Sequence, residues 1–217
     1  MSKTNAVSSS APNSKELKLN KEQPSVKTSL LIYGTLPSLL EKIKYFDTNK
    51  IEQDIWGFVL RPINNRNSAT NIYYKLVNSQ VDEKQKASRK FVKMSKTSSL
   101  PDRANRISMN IPLLDALHKL VLPRNKTSYV ICMAYKNKDG FMSDYQIGMT
   151  GRIKFHDQKD DKTNDKLVSV AETPKESILR HAKEELGFFP TPESVKESDI
   201  VTCGYKTIYK MHIFLCS

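Results

Sequence analysis

The sequence lacks the features that identify several common classes of protein. Its three cysteines are odd in number and never form a CxxC pair, which argues against a zinc ribbon or a disulfide framework and favours a reducing compartment. It has no apolar run long enough for a membrane span and no hydrophobic signal core at its N-terminus. It also lacks a dinucleotide-binding glycine fingerprint and a phosphate-binding Gly-Lys-Ser/Thr signature. We therefore expect an intracellular protein, of cytoplasm or nucleus, that does not associate with a membrane.

Positive charge, in contrast, is abundant. The 217 residues include 35 Lys and Arg against 23 Asp and Glu, which gives a formal net charge of +12. A surplus of this size favours an anionic partner such as a nucleotide or RNA. Such a positive net charge also occurs in proteins that bind no anionic partner. The hydrophobic fraction of 38% supports a modest core with much polar loop. The length suits one sizeable domain with extensions, or two small ones.

Composition divides the chain into three parts. Residues 1–27 are rich in Ser, Lys, Asn and Pro and predict a disordered tail. Residues 28–106 predict an α+β region of a strand, a helix and two strands, followed by a hydrophilic connection at 78–106. Phe91 is the one aromatic residue of that connection, so the connection alone lacks the stacking platform of a single-strand binder. Its candidates for phosphate contact, with a solvated loop as the alternative, are Lys90, Lys93, Arg103 and Arg106.

Residues 107–217 predict the second globular part. A helix is expected to start at Asn110 and Pro112. His156–Lys166 is crowded with Asp and Lys and predicts an inserted surface loop. Alternating or continuous apolar residues predict four strands, which are Tyr129–Tyr135, Phe141–Met149, Ile200–Cys203 and Thr207–Leu215.

The most informative segment is Glu172–Phe188, which we name the box stretch. Thr173 and Pro174 predict the start of a helix, and Gly187 predicts a left-handed cap at its end. Apolar residues at helical spacing predict a face turned to the core, and these residues are Ile178, Leu179, Ala182 and Leu186.

A second side of this helix carries chemistry. His181, Glu184 and Glu185 stand at i, i+3 and i+4 and share that side. Carboxylates one turn apart repel each other, and a bound Mg²⁺ or Mn²⁺ would relieve the repulsion because these ions prefer oxygen ligands. The alternative is an amphipathic helix whose charged side faces water.

The order of residues in the box stretch resembles the Nudix box, Gly-x5-Glu-x7-Arg-Glu-U-x-Glu-Glu-x-Gly-U, where U is apolar. In that family the box is a loop–helix–loop that binds Mg²⁺ or Mn²⁺ and hydrolyses nucleoside diphosphates linked to another group. The resemblance implies a Nudix-like α+β or α/β domain at 107–217, with a mixed sheet sandwiched by helices and residues 28–106 as an N-terminal extension. Seven of nine specified positions match, over 17 of 217 residues: Glu172, Arg180, Ala182, Glu184, Glu185, Gly187 and Phe188.

The resemblance also assigns roles to the charged residues. It implies that Glu184 and Glu185 are metal ligands and catalytic groups. It implies that Arg180 pairs with Glu172 and holds the preceding loop against the helix.

Two positions depart from the pattern. Lys166 stands where the box has its leading Gly, and Gly151 is a candidate replacement although 20 residues rather than 5 separate it from the first Glu. His181 stands where the box has the first Glu of its Arg-Glu core. His181 is a candidate metal ligand, but an imidazole brings no negative charge and suits softer ions than Mg²⁺.

These departures leave two functions of different classes open. One is a metal-dependent pyrophosphohydrolase acting on a nucleoside-diphosphate-linked substrate or capped RNA. The other is an inactive Nudix-fold module that binds RNA or a protein partner within an assembly; chance resemblance is a third outcome. A further acidic residue beside His181 would favour the enzyme. An Arg or Lys filling that pocket would favour the binding module.

Overall fold

The structure of the chain is a computed structural model, which describes residues 25–51, 55–65, 69–78, 89–95, 107–136, 142–159, 167–203 and 208–217. Its helices are α1 (Leu36–Ile43), α2 (Ile107–His118) and α3 (Pro174–Leu186), with a short 3-10 turn at Pro192–Ser194. Its strands are β1 (Ser25–Thr35), β2 (Ile55–Pro62), β3 (Ile72–Asn78), β4 (Arg89–Lys93), β5 (Ser128–Lys136), β6 (Met142–Ile147), β7 (Met149–Arg152), β8 (Phe155–Lys159), β9 (Leu167–Ala171), β10 (Val195–Cys203) and β11 (Tyr209–Cys216).

Nine of these strands form one mixed sheet in which β1 is central. β1 runs parallel to β11 on one side and antiparallel to β7, then to the start of β5, on the other. The main path through the sheet is β10-β11-β1-β5-β2-β3-β4, while β6 pairs with β5. The strands β8 and β9 form a separate two-stranded sheet. The first four strands of the chain thus share a sheet with β5, β6, β7, β10 and β11, whereas β9, which directly precedes the box stretch, lies in the small sheet.

Helices pack on both faces of the large sheet because successive side chains of a strand point to opposite faces. In β1, Leu30 and Ile32 join the core that also buries side chains of α1 and α3. Leu31, between them, joins the core that buries Leu113 and Leu117 of α2. The expected mixed sheet with helices is therefore present in the residues that the structure describes.

The predicted helix of the box stretch is confirmed, with both ends where the sequence places them. Thr173 is the N-cap: its hydroxyl accepts from the Glu176 backbone N–H, and the Glu176 carboxylate accepts from the Thr173 backbone N–H. Gly187 ends the helix with φ of 60°, a left-handed conformation that glycine adopts without steric cost. Ile178, Ala182 and Leu186 are buried in the core; Leu179, also predicted there, is only partly buried.

The connection expected at 78–106 contains a strand that the sequence analysis did not predict. β4 pairs along β3 and is the strand at one edge of the sheet. Only its central aromatic residue reaches the core, where the rings of Phe91 and Phe58 lie 4.7 Å apart between centroids. With Lys or Arg at three of five positions, the strand resembles a solvated loop in sequence.

Three other boundaries differ from those expected. β1 begins at Ser25, so the last residues of the expected tail pair with β11. α2 begins at Ile107, earlier than expected, and Pro112 lies inside the helix and not at its start. The expected loop at 156–166 includes most of β8, which forms a hairpin with β9; residues 160–166 lie outside the described part of the chain.

Two absences can be stated for the described residues. None of their helices is long and apolar enough to cross a membrane. The cysteines are all free thiols, with Cys132 and Cys216 buried and Cys203 partly buried.

Candidate functional site

Four titratable side chains on one side of α3, and Glu172 just before the helix, meet Lys154 of the segment that follows β7. We name this group the box cluster: Lys154, Glu172, Arg180, His181, Glu184 and Glu185. The helix is positioned by its buried side, which packs against β1 and β7. Ser177 adds a polar contact, since its buried hydroxyl donates to the Arg152 carbonyl at 3.3 Å.

Arg180 and Glu172 form a two-pronged ion pair at the centre of the cluster. The Arg180 Nε donates to Glu172 Oε2 at 3.0 Å, and Nη2 donates to Oε1 at 2.5 Å. The Glu172 side chain is only 6% exposed. The hydrogen bond from Arg180 is the main reason that the pKa of Glu172 falls from 4.5 to about 2. Arg180 also donates to the Arg152 carbonyl at 3.1 Å, so the pair holds the chain before α3 against β7.

Glu184 is held by two cations of its own chain. It accepts from Arg180 Nη1 at 2.8 Å and from Lys154 Nζ at 3.2 Å. Partial burial raises the pKa of Glu184, but these two hydrogen bonds outweigh it and leave the pKa below its usual value. The carboxylate is therefore ionised and already neutralised.

His181 is engaged through both ring nitrogens. Nδ1 lies 3.1 Å from Glu185 Oε1, and Nε2 lies 3.1 Å from the Arg152 carbonyl oxygen. Burial lowers the pKa of His181, but the bonds to Glu185 and to the carbonyl outweigh it and raise the pKa above its usual value. Nε2 also lies 3.3 Å from Arg180 Nη2, so the donor and acceptor roles of the ring nitrogens depend on the tautomer.

The ring of His181 lies directly against the backbone of Gly151. A Cβ at residue 151 would stand 1.8 Å from Nε2 and 1.9 Å from Cδ2 of His181. Only a glycine leaves room for this contact. Gly151, proposed from sequence as a stand-in for the leading Gly of the box, thus touches α3 itself.

The donors present do not suit Mg²⁺ or Mn²⁺. In the cluster Glu172 and Glu184 are paired with Arg180 and Lys154, and Glu185 lies beside His181, so each carboxylate already has a partner in the chain. Among the described residues, no three His, Cys, Asp or Glu side chains are grouped so that they could hold a metal ion. The expected ligands Glu184, Glu185 and His181 share one side of the helix but each has another partner.

The other predicted contact residues lie away from the box cluster. Lys90 and Lys93 are exposed on β4, at the edge of the sheet, on strand positions that face opposite sides. Arg103 and Arg106 lie outside the described residues. The functional residue that sequence reasoning missed is Lys154, because it is 30 positions from Glu184 and no local pattern links the two.

Comparison with known proteins adds no family. No protein-family model matches the chain, and no curated protein or solved structure is significantly similar to it. The likeness to the Nudix family therefore depends on the box stretch alone.

We expect Gly151→Ala to destabilise the protein by about 1–3 kcal/mol, because the added methyl group overlaps the His181 ring. The cost should fall to below about 0.5 kcal/mol when the same change is made in His181→Ala, which removes the ring. Urea unfolding of the four proteins measures both costs. Equal costs in the two backgrounds would contradict the contact.

Glu172→Gln should remove stability that depends on pH. Because the folded-state pKa of Glu172 is about 2 rather than 4.5, its stabilisation is present above pH 4.5 and lost as the pH falls towards 2. The difference in unfolding free energy between the natural protein and the variant should be on the order of 3 kcal/mol at pH 7 and shrink at pH 3. Urea titrations at both pH values test this. Glu41→Gln, at the exposed pair with Lys44, is the control and should show little difference at either pH.

Proposed function

We propose that the chain is a Nudix-like module that acts by binding RNA and does not hydrolyse diphosphate bonds. The observation that carries the proposal is the pair of cations on Glu184, Arg180 at 2.8 Å and Lys154 at 3.2 Å. Both cations are hydrogen-bonded to Glu184, a residue that the resemblance to the box implies as a metal ligand.

Charge explains why this arrangement opposes metal catalysis. Two like-charged carboxylates attract a divalent cation most strongly when nothing else neutralises them. Here Glu184 is neutralised by Lys154 and Arg180, and Glu185 lies 3.1 Å from His181 Nδ1. A metal ion would have to displace the ammonium group of Lys154 and the imidazole ring, and the histidine adds no negative charge in return.

The distribution of charge supports RNA rather than a protein as the partner. The neighbouring strands β5, β2, β3 and β4 contain no Asp or Glu. Strands whose charged residues are all basic suit a polyanion, whose phosphates all carry the same charge, better than a protein surface of mixed charge. The basic residues of these strands are Arg61, Lys75, Arg89, Lys90, Lys93 and Lys136.

Hydrolysis of a nucleoside-diphosphate-linked substrate or capped RNA stays as the second candidate. It is favoured by the Glu172–Arg180 pair, which the box pattern requires. It is also favoured by the 45% exposure of the Glu184 side chain, which leaves this carboxylate within reach of a ligand.

A product-release assay separates the two candidates. Diphosphate-linked nucleotides and capped RNA are incubated with Mg²⁺ or Mn²⁺ and either the natural protein or Glu184→Gln/Glu185→Gln. We expect no more product from the natural protein than from the variant. Turnover that is lost in the variant would overturn the proposal.

The affinity for Mn²⁺ is measured by titration calorimetry. Lys154→Ala/His181→Glu should bind Mn²⁺ at least about tenfold more tightly than the natural protein. Lys183→Glu, a charge reversal at another position of α3, is the control and should not.

RNA binding is tested by fluorescence anisotropy of labelled RNA at several salt concentrations. We expect binding that weakens as salt rises, with a slope of about 0.7 in log–log form for each phosphate contacted. The natural protein and Glu184→Gln/Glu185→Gln should bind equally, since the box cluster is not the proposed contact. Failure to bind any RNA at low salt would refute this part of the proposal and favour a protein partner.

A further inference from the structure

One face at the edge of the large sheet combines aromatic and basic side chains. We name it the β2–β4 face: Trp56, Tyr73, Lys75, Lys90 and Val92. It lies on the same side of the sheet as α2, and both aromatic rings pack against the edge of the core beneath that helix. α2 itself packs mainly on β10 and β6, whereas β4 is at the opposite edge. Lys75, Lys90 and Val92 are exposed, and the two aromatic residues are half-buried.

The register of the strands brings these side chains to one face. Lys75 of β3 pairs with Val92 of β4, and Val77 pairs with Lys90. Phe91, between the two β4 residues, points to the other side and packs on Phe58. Lys90 and Lys93 therefore face opposite sides of the same strand, which separates two residues that the sequence grouped together.

A β-bulge turns Trp56 towards this face. Ile55 pairs with Tyr135 and Gly57 with Ala134, so Trp56 is the extra residue of β2. Ile55 is buried in the core on the α1 and α3 side, while Trp56 packs on the α2 side. Bulges re-aim side chains in this way and are frequent beside functional sites.

The Trp56 ring already receives a cation. The Lys75 Nζ lies over it, 5.4 Å from the ring centroid. Gly57, directly opposite Lys75, has no side chain between the two, and the backbone there is so close that a Cβ would stand 1.9 Å from the Tyr74 carbonyl oxygen. A base that stacks on the indole would take the position of this ammonium group over the ring, and the displaced lysine would then be next to the phosphate.

We propose that the β2–β4 face binds single-stranded RNA, with bases stacked on Trp56 and Tyr73 and phosphates held by Lys75 and Lys90. This proposal rests on the proposed function and gives it a location. The charged residues of the face, Lys75 and Lys90, are both basic, which supplies the charge complementarity. Stacking requires exposed bases, so a single strand fits the face and a duplex, whose bases are already stacked, does not.

The chain carries its own probe for this site, because Trp56 is its only tryptophan. Single-stranded RNA of about 12 nucleotides is added to the natural protein while indole fluorescence and the anisotropy of a 5′ label are followed. We expect quenching of Trp56 with the same concentration dependence as the anisotropy. The same RNA annealed to its complement should bind at least about tenfold more weakly. Anisotropy that saturates without any change in indole fluorescence would overturn the proposal.

Matched variants test the contacts one at a time. Trp56→Leu should weaken binding of the single strand about tenfold, and Trp56→Phe should restore most of it because the ring remains. Phe189→Leu is the control. Phe189 is an exposed aromatic residue with the Nζ of Lys183 5.3 Å from its ring centroid, as Trp56 has Lys75, but it lies after α3 and outside the β2–β4 face. Phe189→Leu should leave the affinity unchanged.

The charge contribution is tested on β4. Lys90→Gln should weaken binding and lower the salt slope by about 0.7, whereas Lys93→Gln, on the opposite face of the same strand, should change neither. Equal losses for the two variants would overturn the proposed face while leaving RNA binding intact. Absence of binding by the natural protein would instead refute the proposed function. Thermal unfolding of every variant checks that it is folded.

The same titration with DNA of equal sequence defines the sugar preference. Tighter binding of RNA supports the proposal, as does equal affinity, because stacking and phosphate contact do not need a 2′-hydroxyl. Binding of the DNA strand with no binding of RNA would overturn it.

Discussion

The close contact between Gly151 and His181 is the constraint on which the box cluster depends. Because residue 151 has no side chain, α3 can approach β7 until the imidazole reaches the Arg152 carbonyl. Arg180 reaches the same carbonyl from the preceding helix position. The Arg152 carbonyl oxygen thus contacts two neighbouring residues of α3, Arg180 and His181. These contacts fix the side of the helix on which Glu184 and Glu185 lie.

The carboxylates of the box cluster are paired with other side chains of the same chain. Glu172, Glu184 and Glu185 would repel one another if they stood alone, and each has a partner in the same chain: Arg180, Lys154 or His181. These pairs join α3 to the segment after β7. Resemblance in the order of residues and the charge of the assembled site are therefore separate properties, because Lys154 is not part of the box pattern.

The sequence predicted what depends on neighbours along the chain. The capping residues Thr173 and Glu176 and the terminal Gly187 are local signals, so the bounds of α3 could be predicted. The contact of Lys154 with Glu184 and the side of the sheet on which Lys90 lies could not be predicted. Both depend on which strands pair and in what register. The sequence analysis missed β4 because Phe91 is its only aromatic residue. The aromatic residues that lie near it in the fold belong to β2 and β3, which are distant along the chain.

The parallel pairing of β1 with β11 has a consequence for how the chain folds. Residues 25–32 find their partners at 209–216, so the middle of the sheet joins segments that are far apart along the chain. Contacts of such long sequence separation slow folding, since a large loop must close before the contact stabilises anything. During synthesis β1 leaves the ribosome long before β11. Until that last strand arrives, the centre of the finished sheet exists as an open edge, which is where association with another chain would begin.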